Sequence, residues 1–311
     1  MNKKFAAIDI GSNSFHLIIV EIFKDGHFEI IERKRDVLRL SEDFKNDEKV
    51  ISQISQEKAI EILKEFSGIA KNYNAEIKAI ATSSVRESFN KIYFIDKIFE
   101  ETGIKIKIID GIEEARLIYI GISNSIRLQN NKSLCIDIGG GSTEFIIGLN
   151  NKILFSASLK LGAVRLTHQF FPDYLITKSR INDCKKWIEN ELLPLKNKLK
   201  LNGINCIVGS SGTILSVGFL INSIKSKSKF QENLNNYNFT FEDLQNIEKI
   251  ILNSEKIEDR IKITGLDEKR AEIIPAGIIL LSTIFEQFKI EEIIISSFSL
   301  REGIIIDSLL C

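Results

Sequence analysis

The sequence is poor in proline, histidine and sulfur. Pro totals 3, His 3, Met 1 and Cys 4 in 311 residues. So few prolines leave few stiffened loops and few interrupted helices. His16, His27 and His168 are scattered, which gives no support to a histidine metal cluster or a Ser-His-Asp arrangement. Cys135, Cys184, Cys206 and Cys311 form no C-x-x-C pair. They read as small packing residues in a reducing cytosol, not as disulfides or metal ligands. Net charge is also absent: Lys plus Arg is 42 and Asp plus Glu is 42. No global positive field exists to hold nucleic acid or an anionic membrane, so an anionic ligand has to be held by a local site. No apolar run reaches the roughly 18 residues that a bilayer span needs. Lys3 and Lys4 are basic, but the apolar run behind them meets Asp9, which does not read as a signal peptide. A cytoplasmic location is expected.

The chain is otherwise of ordinary globular composition, 44% hydrophobic and 27% charged, and its length suggests two domains at about 150 residues each. Phe5 to Ile10 is an apolar run, Gly11-Ser12-Asn13-Ser14 a polar turn, and Phe15 to Ile22 is rich in β-branched residues, which predicts strand, tight turn, strand. Apolar spacing predicts helices over 52–72, 89–101 and 112–124, with strands over 77–81 and 104–109 between them. Strands alternating with helices argue for an α/β domain. Further on, helices are predicted near 179–199, 241–254 and 268–286, with strands over 204–208 and 293–295 and a short helix at the end. Residues 223–240 read as a solvated loop containing Lys225, Lys227 and Lys229.

The strongest organising signal is a repeat. Ile8-Asp9-Ile10-Gly11-Ser12-Asn13-Ser14 returns 128 positions later as Ile136-Asp137-Ile138-Gly139-Gly140-Gly141-Ser142-Thr143. An apolar strand precedes each copy and another follows it, the second beginning Phe145-Ile146-Ile147. A duplicated domain is the simplest account. The expected division is 1–124, rejoined by a terminal helix over 303–311, and 125–302, with a polar connection near 123–132.

Three Gly/Ser-rich turns are candidate phosphate cradles: Gly11-Ser12-Asn13-Ser14, Gly139-Gly140-Gly141-Ser142-Thr143 and Gly209-Ser210-Ser211-Gly212-Thr213. Glycine admits close backbone approach, and successive N–H groups in a tight turn form an anion nest. No G-x-x-x-x-G-K-[ST] occurs, and strands follow the first two turns, which disfavours a P-loop NTPase and a Rossmann dehydrogenase. Asp9 and Asp137 precede anion-favouring turns, and a bridging divalent cation, most simply Mg²⁺, satisfies both. Glu114, in Gly111-Ile112-Glu113-Glu114-Ala115-Arg116-Leu117-Ile118, shares a helix face with Leu117, Ile118 and Gly121. A carboxylate on an apolar stripe reads as a general base whose proton affinity is raised by partial burial, or more plainly as a helix-start carboxylate favoured by the dipole; Glu113 can face solvent or a cation. Arg86, after Thr82-Ser83-Ser84-Val85 at a predicted strand end, can grip phosphate oxygens or stand in a surface ion pair. Arg301 and Glu302 read as a domain-closing ion pair, and Arg39 is ambiguous.

Taken in order, Asp9 to Ser14, Thr82 to Arg86, Glu113 to Ile118, Asp137 to Glu144 and Leu300-Arg301-Glu302-Gly303 resemble the exopolyphosphatase / guanosine pentaphosphate phosphatase family. Leu161-Gly162-Ala163-Val164-Arg165-Leu166 and Gly209 to Thr213 fit as well, so the resemblance covers essentially the whole chain. It implies an α/β fold of two duplicated actin-like, ribonuclease H-like domains flanking a phosphate-binding cleft. It implies release of terminal phosphate from inorganic polyphosphate or guanosine pentaphosphate, in the chemistry of the stringent response. Glu114 would activate water, Asp9, Asp137 and Glu144 would lie around the metal and the attacking water, and the turn residues with Arg86 would hold phosphates. Polyphosphate and guanosine penta- or tetraphosphate are thus the expected partners, with no nucleic acid and no membrane; a homodimer is compatible with the sequence, which gives no oligomeric state.

Two departures carry expectations. His16 stands where the family often has Arg, so one phosphate contact is expected to be weaker or pH-dependent. The length matches the short two-domain members, which argues against high processivity. Two alternatives stay open: a polyphosphate/ADP phosphotransferase, and a non-catalytic guanosine tetra- or pentaphosphate sensor.

Overall fold

A computed structural model of the chain describes residues 2–24, 27–40, 49–128, 130–199, 203–225 and 233–310. It divides into two compact units, Met1–Gly121 with Leu300–Cys311, and Ile122–Ser299.

The first unit opens with β1 (Lys3–Ile10), β2 (Ser14–Ile22) and β3 (Phe28–Val37), followed by α1 (Gln53–Asn72), β4 (Glu76–Ala81), α2 (Ser83–Glu87), α3 (Lys91–Thr102), β5 (Ile106–Ile108) and α4 (Gly111–Ser125). Its sheet runs β3-β2-β1-β4-β5, an antiparallel meander continued by parallel strands. Helix α1 begins where Ser52 accepts a hydrogen bond from the Ser55 amide, and its apolar face buries Ala59, Leu63, Phe66 and Ala70. The core is built from Ile8, Ile10, Phe15, Leu17, Val85, Phe94 and Ile98 among others.

The second unit comprises β6 (Ser133–Ile138), β7 (Thr143–Leu149), β8 (Lys152–Leu159), α5 (Ala163–Phe170), α6 (Lys178–Lys198), β9 (Cys206–Ser210), α7 (Ser211–Lys225), β10 (Asn238–Thr240), α8 (Phe241–Asn253), α9 (Ile257–Arg260), α10 (Ile274–Phe288) and β11 (Glu292–Ile295). Its sheet order, β8-β7-β6-β9-β11-β10, repeats the first sheet with one edge strand added. The last helix, α11 (Leu300–Leu310), belongs to the first unit. Gly303 allows its approach to α4, because a Cβ there would lie 1.9 Å from the Leu117 carbonyl oxygen.

Several sequence expectations change. Strand β4 ends at Ala81, as expected, but the residues directly behind it form a short helix, α2, which carries Arg86. The polar connection at 123–132 is instead the end of α4, followed by a short link, and Ser133 already lies in β6. The helix expected over 268–286 is two pieces, a 3-10 turn at Glu268–Arg270 and α10, since Pro275 is tolerated in a first turn but not inside a helix. Within 223–240, α7 continues to Lys225 and Asn238–Thr240 pairs with β11, while Lys227 and Lys229 lie outside the described residues, as does Cys311. Arg301 and Glu302 do not pair with each other: Arg301 reaches His16, and the buried Glu302 lies 3.5 Å from Arg33 Nη1. Cys135, Cys184 and Cys206 are free thiols; burial pushes Cys135 above its ordinary range and Cys184 up to about 12, so they act as packing groups.

Candidate active site

In an open α/β sheet, ligands bind beyond the carboxyl ends of the parallel strands. The residues singled out by sequence collect there in each unit.

In the first unit, β1 ends on Asp9 and Ile10, and the bend to β2 closes with the Gly11 amide donating to the Ser14 carbonyl at 3.2 Å. Ser12, Asn13 and Ser14 are all buried, and neither amide atom of the Asn13 side chain has a hydrogen-bond partner among the described residues. A buried, unsatisfied carboxamide is costly, and a bound anion or water would relieve it. Ser14 Oγ is 2.8 Å from His16 Nε2. At the carboxyl end of β5, Asp110 caps α4 by accepting from the Ile112 and Glu113 amides. This sets Glu114 in the first turn of α4, 6% exposed, on the stripe that also buries Leu117 and Ile118. Arg86 Nη1 donates to Glu114 Oε2 at 2.9 Å and to the Ile109 carbonyl at 2.9 Å. The guanidinium offsets the cost of burying the carboxylate charge and fixes its orientation. Burial therefore does not act alone on Glu114, and Arg86 Nη1 is engaged by a carboxylate and a carbonyl. Glu113 faces the other way, and Arg116 holds it below the usual carboxylate range; the same guanidinium binds Asp307 on α11.

In the second unit, the Gly139 amide donates to the Ser142 carbonyl at 3.0 Å, matching the first bend. What backs the turn is different. The carbonyls of Gly139 and Gly140 accept from the Ala163, Val164 and Arg165 amides at the start of α5, and the Gly141 carbonyl accepts from Arg165 Nε at 2.8 Å. Because a trans peptide sets N–H opposite C=O, tying these carbonyls to α5 turns the following amides away from it, as an anion nest requires. Gly162 makes the contact feasible: a Cβ there would sit 2.4 Å from the Gly140 carbonyl oxygen.

Asp137 Oδ2 accepts from Ser210 Oγ at 2.6 Å and from Ser299 Oγ at 2.5 Å. Glu144 lies directly opposite Asp137 in the β6–β7 register and accepts from Ser158 Oγ at 2.7 Å. Two buried carboxylates side by side call for a counter-charge or a shared proton. Their hard oxygen donors fit a divalent cation such as Mg²⁺. Among the described residues no three His, Cys, Asp or Glu side chains converge, so such an ion would keep waters or take phosphate oxygens as further ligands.

Not every candidate offers a donor outward. Thr143 Oγ1 donates to the Leu161 carbonyl, and Ser210 serves Asp137. Gly209 to Thr213 is a strand-to-helix junction rather than a hairpin, with Ser211 at a φ of 72° and α7 starting there. Thr213 is buried against Gly277, and a Cβ on Gly212 would meet the Arg270 guanidinium.

The family model of the Ppx/GppA phosphatase family matches residues 18–311. The chain belongs to the Ppx/GppA phosphatase family. It superposes on an exopolyphosphatase from Cytophaga hutchinsonii with a TM-score of 0.90 at 28% identity, covering 99% of this chain and 98% of that one. It superposes on the Aquifex aeolicus member of the Ppx/GppA family with a TM-score of 0.81 at 26% identity, covering 100% and 98%. The fold is thus the duplicated actin-like α/β class. A bifunctional 3-dehydroquinate synthase/phosphatase of Fusobacterium nucleatum is 35% identical over 305 residues, 94% of this chain and 44% of that protein. The chain therefore spans less than half the length of this curated relative. For a member of the Ppx/GppA phosphatase family, Gly162 and Arg165 stand in a motif that the sequence shows but to which it assigns no role, and Ser158 and Ser299 were passed over; all four prepare the bends. Ser299 had a signal, the run Ser296-Ser297-Phe298-Ser299 directly behind the last apolar strand.

Proposed function

We propose that the chain is a phosphohydrolase that releases terminal orthophosphate from inorganic polyphosphate, and that guanosine pentaphosphate, which ends in the same group, is its other substrate. The observation that carries this reading is Glu114, a buried carboxylate at the carboxyl end of the parallel strands, held by Arg86 at 2.9 Å. A base must be fixed and ionised to take a proton from water, and the ion pair provides both conditions. Family membership and the likeness to the Cytophaga hutchinsonii exopolyphosphatase support polyphosphate as the first substrate to test.

In the first unit the amides of the bend, with Ser12, Asn13 and Ser14, donate to phosphate oxygens, where negative charge builds up in the transition state, and the glycine bend of the second unit offers amides of the same kind. Glu114 orients the attacking water and takes its proton. Asp137 and Glu144 would hold Mg²⁺ in the second unit, with waters or phosphate oxygens as its further ligands, and the ion when bound supplies neutralisation of phosphate charge. Ser210, Ser299 and Ser158 keep Asp137 and Glu144 in place. Arg86 acts by orienting Glu114.

The test is orthophosphate release from polyphosphate and from guanosine pentaphosphate, in parallel, with Mg²⁺ and with a chelator. Release from either that stops with the chelator is the expected result. ATP formation from polyphosphate plus ADP would replace hydrolysis with phosphotransfer. Tight nucleotide binding without release would make the chain a sensor.

A further inference from the structure

Three side chains of the first unit form a line that ends on the first bend. Arg301 Nη1 is 3.1 Å from His16 Nδ1, and His16 Nε2 is 2.8 Å from Ser14 Oγ. A guanidinium has donors only and keeps its charge at any ordinary pH. Nδ1 must therefore accept and carry no proton. The one proton of the neutral ring is then on Nε2 and is donated to Ser14 Oγ. With its oxygen already accepting, the Ser14 hydroxyl has its own proton left to give. The hydroxyl makes no other hydrogen bond among the described residues, and the neighbouring Asn13 carboxamide is buried without a partner.

We propose that His16 is a positioning residue: Arg301 fixes it as the Nε2–H tautomer, and the ring thereby makes Ser14 a one-directional donor toward a phosphate oxygen. This rests on the reading of the first bend as a phosphate cradle. The sequence of donors is Arg301 to His16, His16 to Ser14, Ser14 to the ligand. A plain clamp between α11 and β2 would need the Arg301–His16 contact but would leave Ser14 indifferent to it.

The chain has only three histidines, so ¹⁵N-histidine labelling gives a spectrum that the His16→Gln variant assigns. The expected state of His16 near neutral pH is neutral with the proton on Nε2; a proton on Nδ1, or on both nitrogens, overturns the proposal. Kinetics of phosphate release from inorganic polyphosphate with Mg²⁺ supply the second arm. Ser14→Ala should raise KM roughly tenfold or more, the scale of one hydrogen bond to a charged group. His16→Phe, which keeps the ring and removes both nitrogens, should do the same. The double variant should be no worse than Ser14→Ala alone, and His16→Gln, which retains a donor and an acceptor, should recover most of the loss. Additive losses, or a folded His16→Gln as poor as His16→Phe, overturn the relay alone. A Ser14→Ala enzyme indistinguishable from wild type overturns the cradle reading, and the relay with it.

Discussion

The two bends come from one repeated motif, yet they are finished with different chemistry. Both close with the same amide-to-carbonyl bond, Gly11 to Ser14 and Gly139 to Ser142. Opposite the strand-end aspartate, however, the first carries an imidazole, Asp9 facing His16, and the second a carboxylate, Asp137 facing Glu144. The first bend is lined by side-chain groups: a buried carboxamide without a hydrogen-bond partner among the described residues, and a serine beside a histidine that an arginine contacts. The second is mostly backbone, three glycines whose carbonyls are tied to α5 and whose acids are held by three serines. On the proposed reading, a cradle for phosphate is made from orienting side chains in one unit and from orienting peptides in the other. The glycine version depends on the residue behind it more than on the turn itself.

That difference can be broken from behind. Gly162→Ala should cost the most, about 3 kcal/mol or more, because its Cβ would lie 2.4 Å from Gly140 O and 2.6 Å from Gly141 C, where only backbone can give way. Its φ of −154° is open to any residue, so the contact alone excludes a side chain. Gly11→Ala meets Ser14 O at 3.0 Å and should cost about 1 kcal/mol. Thermal unfolding of both variants compares them directly, and equal losses would contradict the contrast. Removing a serine from Asp137 should rank between the two. Ser299→Ala should destabilise by about 1–2 kcal/mol, since the buried Asp137 carboxylate loses a hydroxyl donor, and it should lower phosphate release. Asn13→Ala should have the smallest effect on stability, near zero or favourable, because it deletes an unsatisfied group; it should weaken substrate binding several-fold, measured as KM. Unchanged KM in Asn13→Ala would detach the carboxamide from the ligand.

Much of this was legible in the sequence, and the reasons are specific. The repeat of Ile8 to Ser14 in Ile136 to Thr143 announced two equivalent hairpins, and the sheet orders show the same meander followed by parallel strands. The first-turn position of Glu114 on an apolar stripe could be read from 3.6-residue spacing. The outer strands β3 and β8 could not, because half-exposed edge strands such as Phe28–Val37 carry charges on both faces and lose clean alternation. Arg86 was seen, but its partner was not, since the ion pair spans 28 positions and depends on how β4 and β5 lie in the sheet. The carbonyl contacts of α5 are likewise non-local: Gly162 and Arg165 matter through backbone groups more than twenty residues earlier, and no periodicity encodes that.

The most direct test of the whole account is orthophosphate release from inorganic polyphosphate with Mg²⁺ by Glu114→Gln against wild type, with polyphosphate binding measured on the same preparations. The account predicts turnover lower by roughly 10²–10⁴ with binding largely kept, because the amide fills the space between Arg86 and the helix but cannot take a proton. Undiminished release by a folded Glu114→Gln enzyme would contradict it.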